Sequence, residues 1–210
     1  HLEETVVDWS YMKEVRILQD EDRFDYRVGP LARVNLSEGF GTEAADFELA
    51  SLRKLGGDPC HAVAFQAYAR VVEILYAAER ALQIITDPLI LGETRVPVTF
   101  RGGRGVGHVE APRGTLIHDY EIDENGIVRS ANLIVATQQN YVSINQTIEK
   151  AAVSHVLGKS DDTVLLNAIE FGIRCYDPCL SCATHAAGAM PLDVVVAQGG
   201  TILRTVRRNR

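Results

Sequence analysis

No apolar run in these 210 residues approaches the length of a membrane span, and no short apolar stretch behind a basic opening marks a secretory signal. Surplus positive charge is missing as well. Against 21 Lys and Arg stand 28 Asp and Glu, a formal charge of -7, which argues against nucleic-acid binding, because a phosphate backbone wants a basic stripe. Cysteine is scarce and unevenly spaced, with 4 in all. That is no disulfide framework, and thiolates held back for a metal suit a reducing, cytoplasmic compartment. Internal repeats and low-complexity linkers are also lacking. What is present, 46% hydrophobic and 23% charged residues, suffices to bury one sizeable core. The chain opens on His1 rather than Met with ordinary globular sequence, so a fragment of a longer protein is expected.

Three of the four cysteines, Cys175, Cys179 and Cys182, fall within eight positions, and His185 stands three residues beyond the last. Two residues between cysteines let the chain turn back until both sulfurs face one centre, and thiolates are ligands that zinc, nickel and iron take readily. Asp177-Pro178 ends any helix before them, because the proline ring disfavours the helical region for the residue in front of it. The ligands therefore sit on a loop entered from a helix. Cys-x-x-Cys followed by His also occurs in structural zinc sites and redox pairs.

Along the chain, residues 1–30 carry two short periodic pieces with Trp9, Tyr11, Val15, Ile17 and Leu18 as core contacts, then the turn-like Val28-Gly29-Pro30-Leu31-Ala32-Arg33. A helix is expected from Thr42, its cap, to Leu55, with Phe47, Leu49, Leu52 and Leu55 inward and Gly56-Gly57 as its stop. A longer one follows Asp58-Pro59 and runs to about Thr86. Its apolar residues cover more than one face, the mark of an interior bundle helix. Cys60 and His61 belong to its first turn, with Cys60 a small buried residue.

From about 96 to 137 the pattern becomes antiparallel β, with Glu124-Asn125-Gly126 as a tight hairpin. The glycine-rich run 101–108 is not a phosphate loop, since no Gly-Lys-Ser/Thr follows and a hairpin comes next. Helices are expected again over 138–158 and from Thr163 to Cys175, the second capped by Ser160-Asp161-Asp162. A hairpin turning at Gln198-Gly199-Gly200 closes the chain. The fold class is therefore α+β, mainly helical, with a β insertion and a terminal hairpin.

Asp177-Pro178-Cys179-Leu180-Ser181-Cys182-Ala183-Thr184-His185 resembles the C-terminal D-P-C-x-x-C-x-x-H signature of the nickel-iron hydrogenase large subunit. Val28–Arg33 and Gly107-His108-Val109-Glu110-Ala111-Pro112-Arg113-Gly114 are similar to further segments of that family, most of all to its cytoplasmic group coupled to deazaflavin, nicotinamide or heterodisulfide acceptors. The resemblance implies a site of nickel and of iron bearing carbon monoxide and cyanide. Cys179 would be a terminal nickel ligand and proton acceptor, and Cys182 would bridge the two metals. It further implies Arg113 over the open side of the site, Asp177 as its carboxylate partner, Pro112 shaping the same canopy and Thr137 hydrogen-bonding a cyanide. Ala136 stands where many relatives have proline. His185 would hold magnesium or a similar hard cation. Implied partners are H2, a maturation endopeptidase that removes 186–210 after nickel insertion, and an iron-sulfur small subunit.

The family's N-terminal R-x-C-G-x-C does not occur here. Residues 1–210 are thus expected to be the C-terminal part of one large-subunit domain, with two of four nickel ligands. Two alternatives stay open: a non-catalytic domain with structural zinc at Cys175, Cys179, Cys182 and His185, and the respiratory-complex relative that has lost the ligands, against which Cys179 and Cys182 argue.

Overall fold

Alternation in Glu14–Gln19 buries Val15 and leaves its neighbours half out, the pattern of a strand with one covered face. In the computed structural model, which describes residues 1–99, 101–157, 161–184 and 193–207, this strand, β2, lies between β1 (Leu2–Thr5) and β3 (Asp22–Phe24) in an antiparallel sheet. Of the core contacts expected here, Val15 is buried and Leu18 half-buried, whereas Trp9, Tyr11 and Ile17 are exposed. A single-layer sheet covers only one face. Trp9 instead lies against the ring of buried Tyr141, with centroids 5.6 Å apart.

Helix α1 (Pro30–Leu36) starts with proline at its first position, where the missing N–H has no partner to lose. Helix α2 (Glu43–Gly56) follows. Thr42 occupies its N-cap position as expected, but its hydroxyl makes no capping bond. The carboxylate of Glu79 does that work, accepting the Ala44 and Ala45 N–H groups at 3.0 Å each. Gly57 stops the helix at φ 91°, a conformation glycine adopts without strain. Leu49 and Leu52 point inward; Phe47 and Leu55, expected beside them, are exposed.

Helix α3 spans Phe65–Ile85 and so begins later than its sequence pattern suggests. Cys60 and His61 precede it, after a cis Asp58–Pro59 peptide. Cys60 is fully buried, with its N–H and C=O both paired to the Asn35 amide at 2.9 and 2.8 Å. The expectation of an interior helix fails. Only Gln66, Ala69 and Val72 are buried, while Val71, Ile74, Leu82 and Ile85 face outward. An all-round apolar helix needs neighbours on all sides, and among the described residues α1, α2 and the end of α6 leave much of its surface uncovered. The core they share is Leu31, Val34, Ala45, Leu49, Leu52, Cys60, Ala69 and Val72.

After a 3-10 turn at Pro88–Leu91, strands β4 (Gly103–Ala111), β5 (Gly114–Ile122) and β6 (Val128–Ile134) form the expected antiparallel insertion. Asp123 fixes the β5–β6 hairpin, its carboxylate accepting the Asn125 and Ile127 N–H groups at 2.9 Å each. The helix expected over 138–158 is split into α4 (Ala136–Gln139) and α5 (Tyr141–Leu157), with Asn140 between them committed to the Val28 backbone. Helix α6 (Asp162–Cys175) is capped by Asp161, whose carboxylate accepts the Thr163 N–H at 2.7 Å. It lies close on α5, where a side chain at Gly172 would meet Thr147. Helix α7 (Leu180–Thr184) follows the cysteine loop, and β7 (Asp193–Gln198) pairs with β8 (Thr201–Arg207) as the terminal hairpin. No described helix is long and apolar enough to cross a membrane.

Candidate metal centre

The cysteine loop is delivered by α6 and stopped by Asp177-Pro178. Tyr176, buried at the helix end, ties that end to α5 through hydrogen bonds of its hydroxyl with Ser143 O at 3.2 Å and Thr147 Oγ1 at 3.0 Å. Asp177 takes φ 49°, uncommon for a non-glycine residue, and turns the chain so that Pro178 and Cys179 leave the helix axis. The short helix α7 then brings Cys182 back beside Cys179. The two Cα atoms are 5.3 Å apart and the sulfurs are joined as a disulfide. Two soft donors therefore meet at one point, and once reduced and deprotonated they fit a thiophilic metal.

Over this loop lies the two-residue turn Pro112-Arg113 that joins β4 to β5. Arg113 Nε donates to the Asp177 carbonyl at 2.8 Å and sits 3.1 Å from the Asp177 carboxylate. The two residues that the motif pairs are thus in contact, both partly exposed. Thr137, buried in α4, accepts the Cys179 N–H on its hydroxyl oxygen at 3.0 Å. Its own proton remains available to a further acceptor. Pro112 is exposed at the turn. His185 lies outside the described residues.

Cys175 stands apart. It is buried on α6, and burial pushes its thiol up, with the nearby Arg70 guanidinium opposing the shift. Among the described residues no three His, Cys, Asp or Glu side chains gather as a metal cage, and a structural zinc built on Cys175 is not supported. The soft donors that the structure brings together are Cys179 and Cys182.

Several residues that serve this site were not singled out from the sequence. Arg70 on α3 donates to the Cys175 carbonyl at 3.2 Å and lies 3.9 Å from the Asp177 carboxylate, so Asp177 stands between two guanidiniums. Gln139 accepts the Tyr26 hydroxyl at 2.9 Å and donates to Thr115 O at 2.6 Å, and Asn140 binds both backbone groups of Val28. A run of buried Gln138, Gln139 and Asn140 beside Thr137 was the available signal, since buried amides are kept for hydrogen bonds. A cleft of about 530 Å³ between α1 and residues 58–61 contains none of the candidate site residues. A smaller one of about 350 Å³ reaches Leu133, Gln138 and Ala183, on the side of the loop where α7 lies.

Known proteins place this geometry in a family. The nickel-dependent hydrogenase family matches residues 9–185. The beta subunit of the NAD-reducing hydrogenase HoxS from Cupriavidus necator is 42% identical over 93% of this chain and 41% of its own length. An iron-sulfur subunit of the F420-non-reducing hydrogenase from Archaeoglobus profundus is 41% identical over 99% of this chain and 45% of its own. A crystal structure of an NAD+-reducing [NiFe]-hydrogenase in the H2-reduced state superposes with a TM-score of 0.80 at 38% identity, covering 88% of this chain and 41% of that one. The Ni-Fe-Se hydrogenase from Desulfomicrobium baculatum, at 22% identity and a TM-score of 0.56 over 84% of this chain and 37% of its own, shares the fold. This chain spans less than half the length of these relatives. With Cys179 and Cys182 brought together two residues beyond an Arg113–Asp177 pair, the chain belongs to the nickel-dependent hydrogenase family.

Proposed function

We propose that residues 1–210 form the C-terminal part of a nickel-iron hydrogenase large subunit that cleaves H2 reversibly into protons and electrons. The observation that carries this reading is the meeting of Cys179 and Cys182 at one point, with Arg113 anchored on Asp177 two residues before the first of them. Cys179 and Cys182 would hold nickel, the second of them shared with iron bearing carbon monoxide and cyanide, and the remaining thiolates would come from the R-x-C-G-x-C of the longer protein. When bound, such a metal pair supplies the acceptor for the electron pair of the H–H bond.

This chain's own residues manage the proton and the charge. With the metals held, the Cys179 thiolate would be the base that accepts one proton of H2, since a thiolate sulfur retains a lone pair for it. The second proton would be released to solvent and the two electrons would pass to an iron-sulfur small subunit, so that H2 would yield two protons and two electrons. Arg113 contributes a fixed positive charge: Asp177 engages its Nε edge, which leaves the outer nitrogens of the guanidinium for the metal's anionic ligands. Thr137 accepts the Cys179 backbone N–H and would offer its hydroxyl proton to a cyanide. Pro112 sets the turn that carries Arg113, and His185 would hold a hard cation such as magnesium.

The likeness to NAD-reducing hydrogenases supports a cofactor-coupled enzyme, and we place it in the cytoplasm. In the full-length protein, Cys179→Ala is expected to abolish H2 uptake and nickel retention together. A Cys179→Ala protein that keeps both would remove the reading.

We further propose that 186–210 is a maturation tail removed by an endopeptidase. The family match ends at His185, which supports that reading.

A further inference from the structure

Arg33 closes the segment Val28–Arg33 and carries no role in the chemistry above. Its guanidinium has five N–H donors, and each one is engaged. Nε and Nη2 grip the Glu73 carboxylate of α3 at 2.6 Å each. Nη1 donates to the Glu110 carboxylate at 2.8 Å and to the Ala111 carbonyl at 3.0 Å, and Nη2 donates to the Pro112 carbonyl at 2.9 Å. The two carbonyls are those of the residues immediately before Arg113.

The same turn rests on the start of the segment. A side chain at Gly29 would come within 2.8 Å of the Arg113 carbonyl, and one at Gly114 within 2.5 Å of Val28 Cγ2 and 2.9 Å of the Gly29 nitrogen. Backbone lies on backbone, with no room between. We infer that Arg33 is a positioning residue for Arg113: braced by Glu73, it clamps the Ala111 and Pro112 carbonyls and so fixes where the neighbouring guanidinium emerges over Cys179 and Cys182. It touches neither metal nor H2. The inference rests on the hydrogenase reading for its effect on turnover, but not for its effect on the turn.

The test is Arg33→Lys in the full-length subunit within its complex, beside Arg113→Lys and the double variant. An ammonium is a point charge and cannot meet a carboxylate and two carbonyls with a planar fork. Turnover per bound nickel is expected to fall roughly 10- to 100-fold, as for a reacting group displaced by about 1 Å. In the Arg113→Lys background the same change should cost little more, because two residues acting through one contact are not additive. In nickel-free protein, deuterium uptake of a peptide covering 110–116 should rise several-fold in Arg33→Lys, while that of one covering 141–155 stays unchanged. Unaltered turnover per nickel with reduced nickel content, or uniformly faster exchange along the chain, would make Arg33 merely structural and overturn the proposal. If the unmodified protein binds nickel but does not turn over H2, the hydrogenase reading fails. The exchange arm then decides alone: a local rise upholds the clamp, and an unchanged 110–116 peptide refutes it.

Discussion

Asp177 engages two arginines at once, Arg113 from the β4–β5 turn and Arg70 from α3, and does so from a left-handed backbone conformation. A carboxylate held from two sides can keep one edge of Arg113 occupied without drawing the whole group away from the site. Replacing Arg113 with Lys in the full-length enzyme should leave nickel content intact and lower turnover by roughly 10²- to 10³-fold, the range for losing an aimed electrostatic donor. Metal analysis and H2-uptake rates on one preparation check this, and normal turnover with an assembled site would remove the role. The Arg113–Asp177 contact was legible in the sequence because both residues stand in motifs. Arg70 and Arg33 were not. Their contacts join residues 105 and 78 positions apart, and one arginine among apolar helix residues looks like any surface cation until the partner is in place.

At the scale of elements, the hairpins and the helix that delivers the loop follow from local chemistry. Asp123 ahead of Asn125-Gly126 shapes its own turn, and Asp161 caps α6 two residues before Thr163. Boundaries set by distant partners did not follow. Thr42 stands at the α2 N-cap, but Glu79, 35 residues beyond Ala44, does the capping, and α3 looked interior although much of its apolar surface is exposed. The junction that matters most for the site is the contact between the Val28–Gly29 backbone and the β4–β5 turn. Gly114→Ala places a methyl against Val28 at φ 133°, where L residues are strained. Its expected cost is about 1–3 kcal/mol of stability, read as a lower midpoint in urea unfolding. An unchanged midpoint would mean the two segments are not pressed together.

For the molecule as a whole, the outward apolar face of α3 among the described residues, the meeting of Cys179 with Cys182 and the match to less than half of each relative all support the proposal that this stretch is part of a larger subunit. If 186–210 is a maturation tail, intact mass spectrometry of the nickel-loaded subunit should find it ending at His185, and a nickel-free precursor should retain residues through Arg210. Retention of the tail in active, nickel-loaded protein would contradict that proposal while leaving the site untouched. The most direct test of the central claim is metal analysis of the full-length protein purified without oxygen, alongside its Cys179→Ala variant. Equimolar nickel and iron in the unmodified protein, with nickel lost in the variant, is the predicted result. Zinc without nickel, or nickel indifferent to the loss of Cys179, would contradict it.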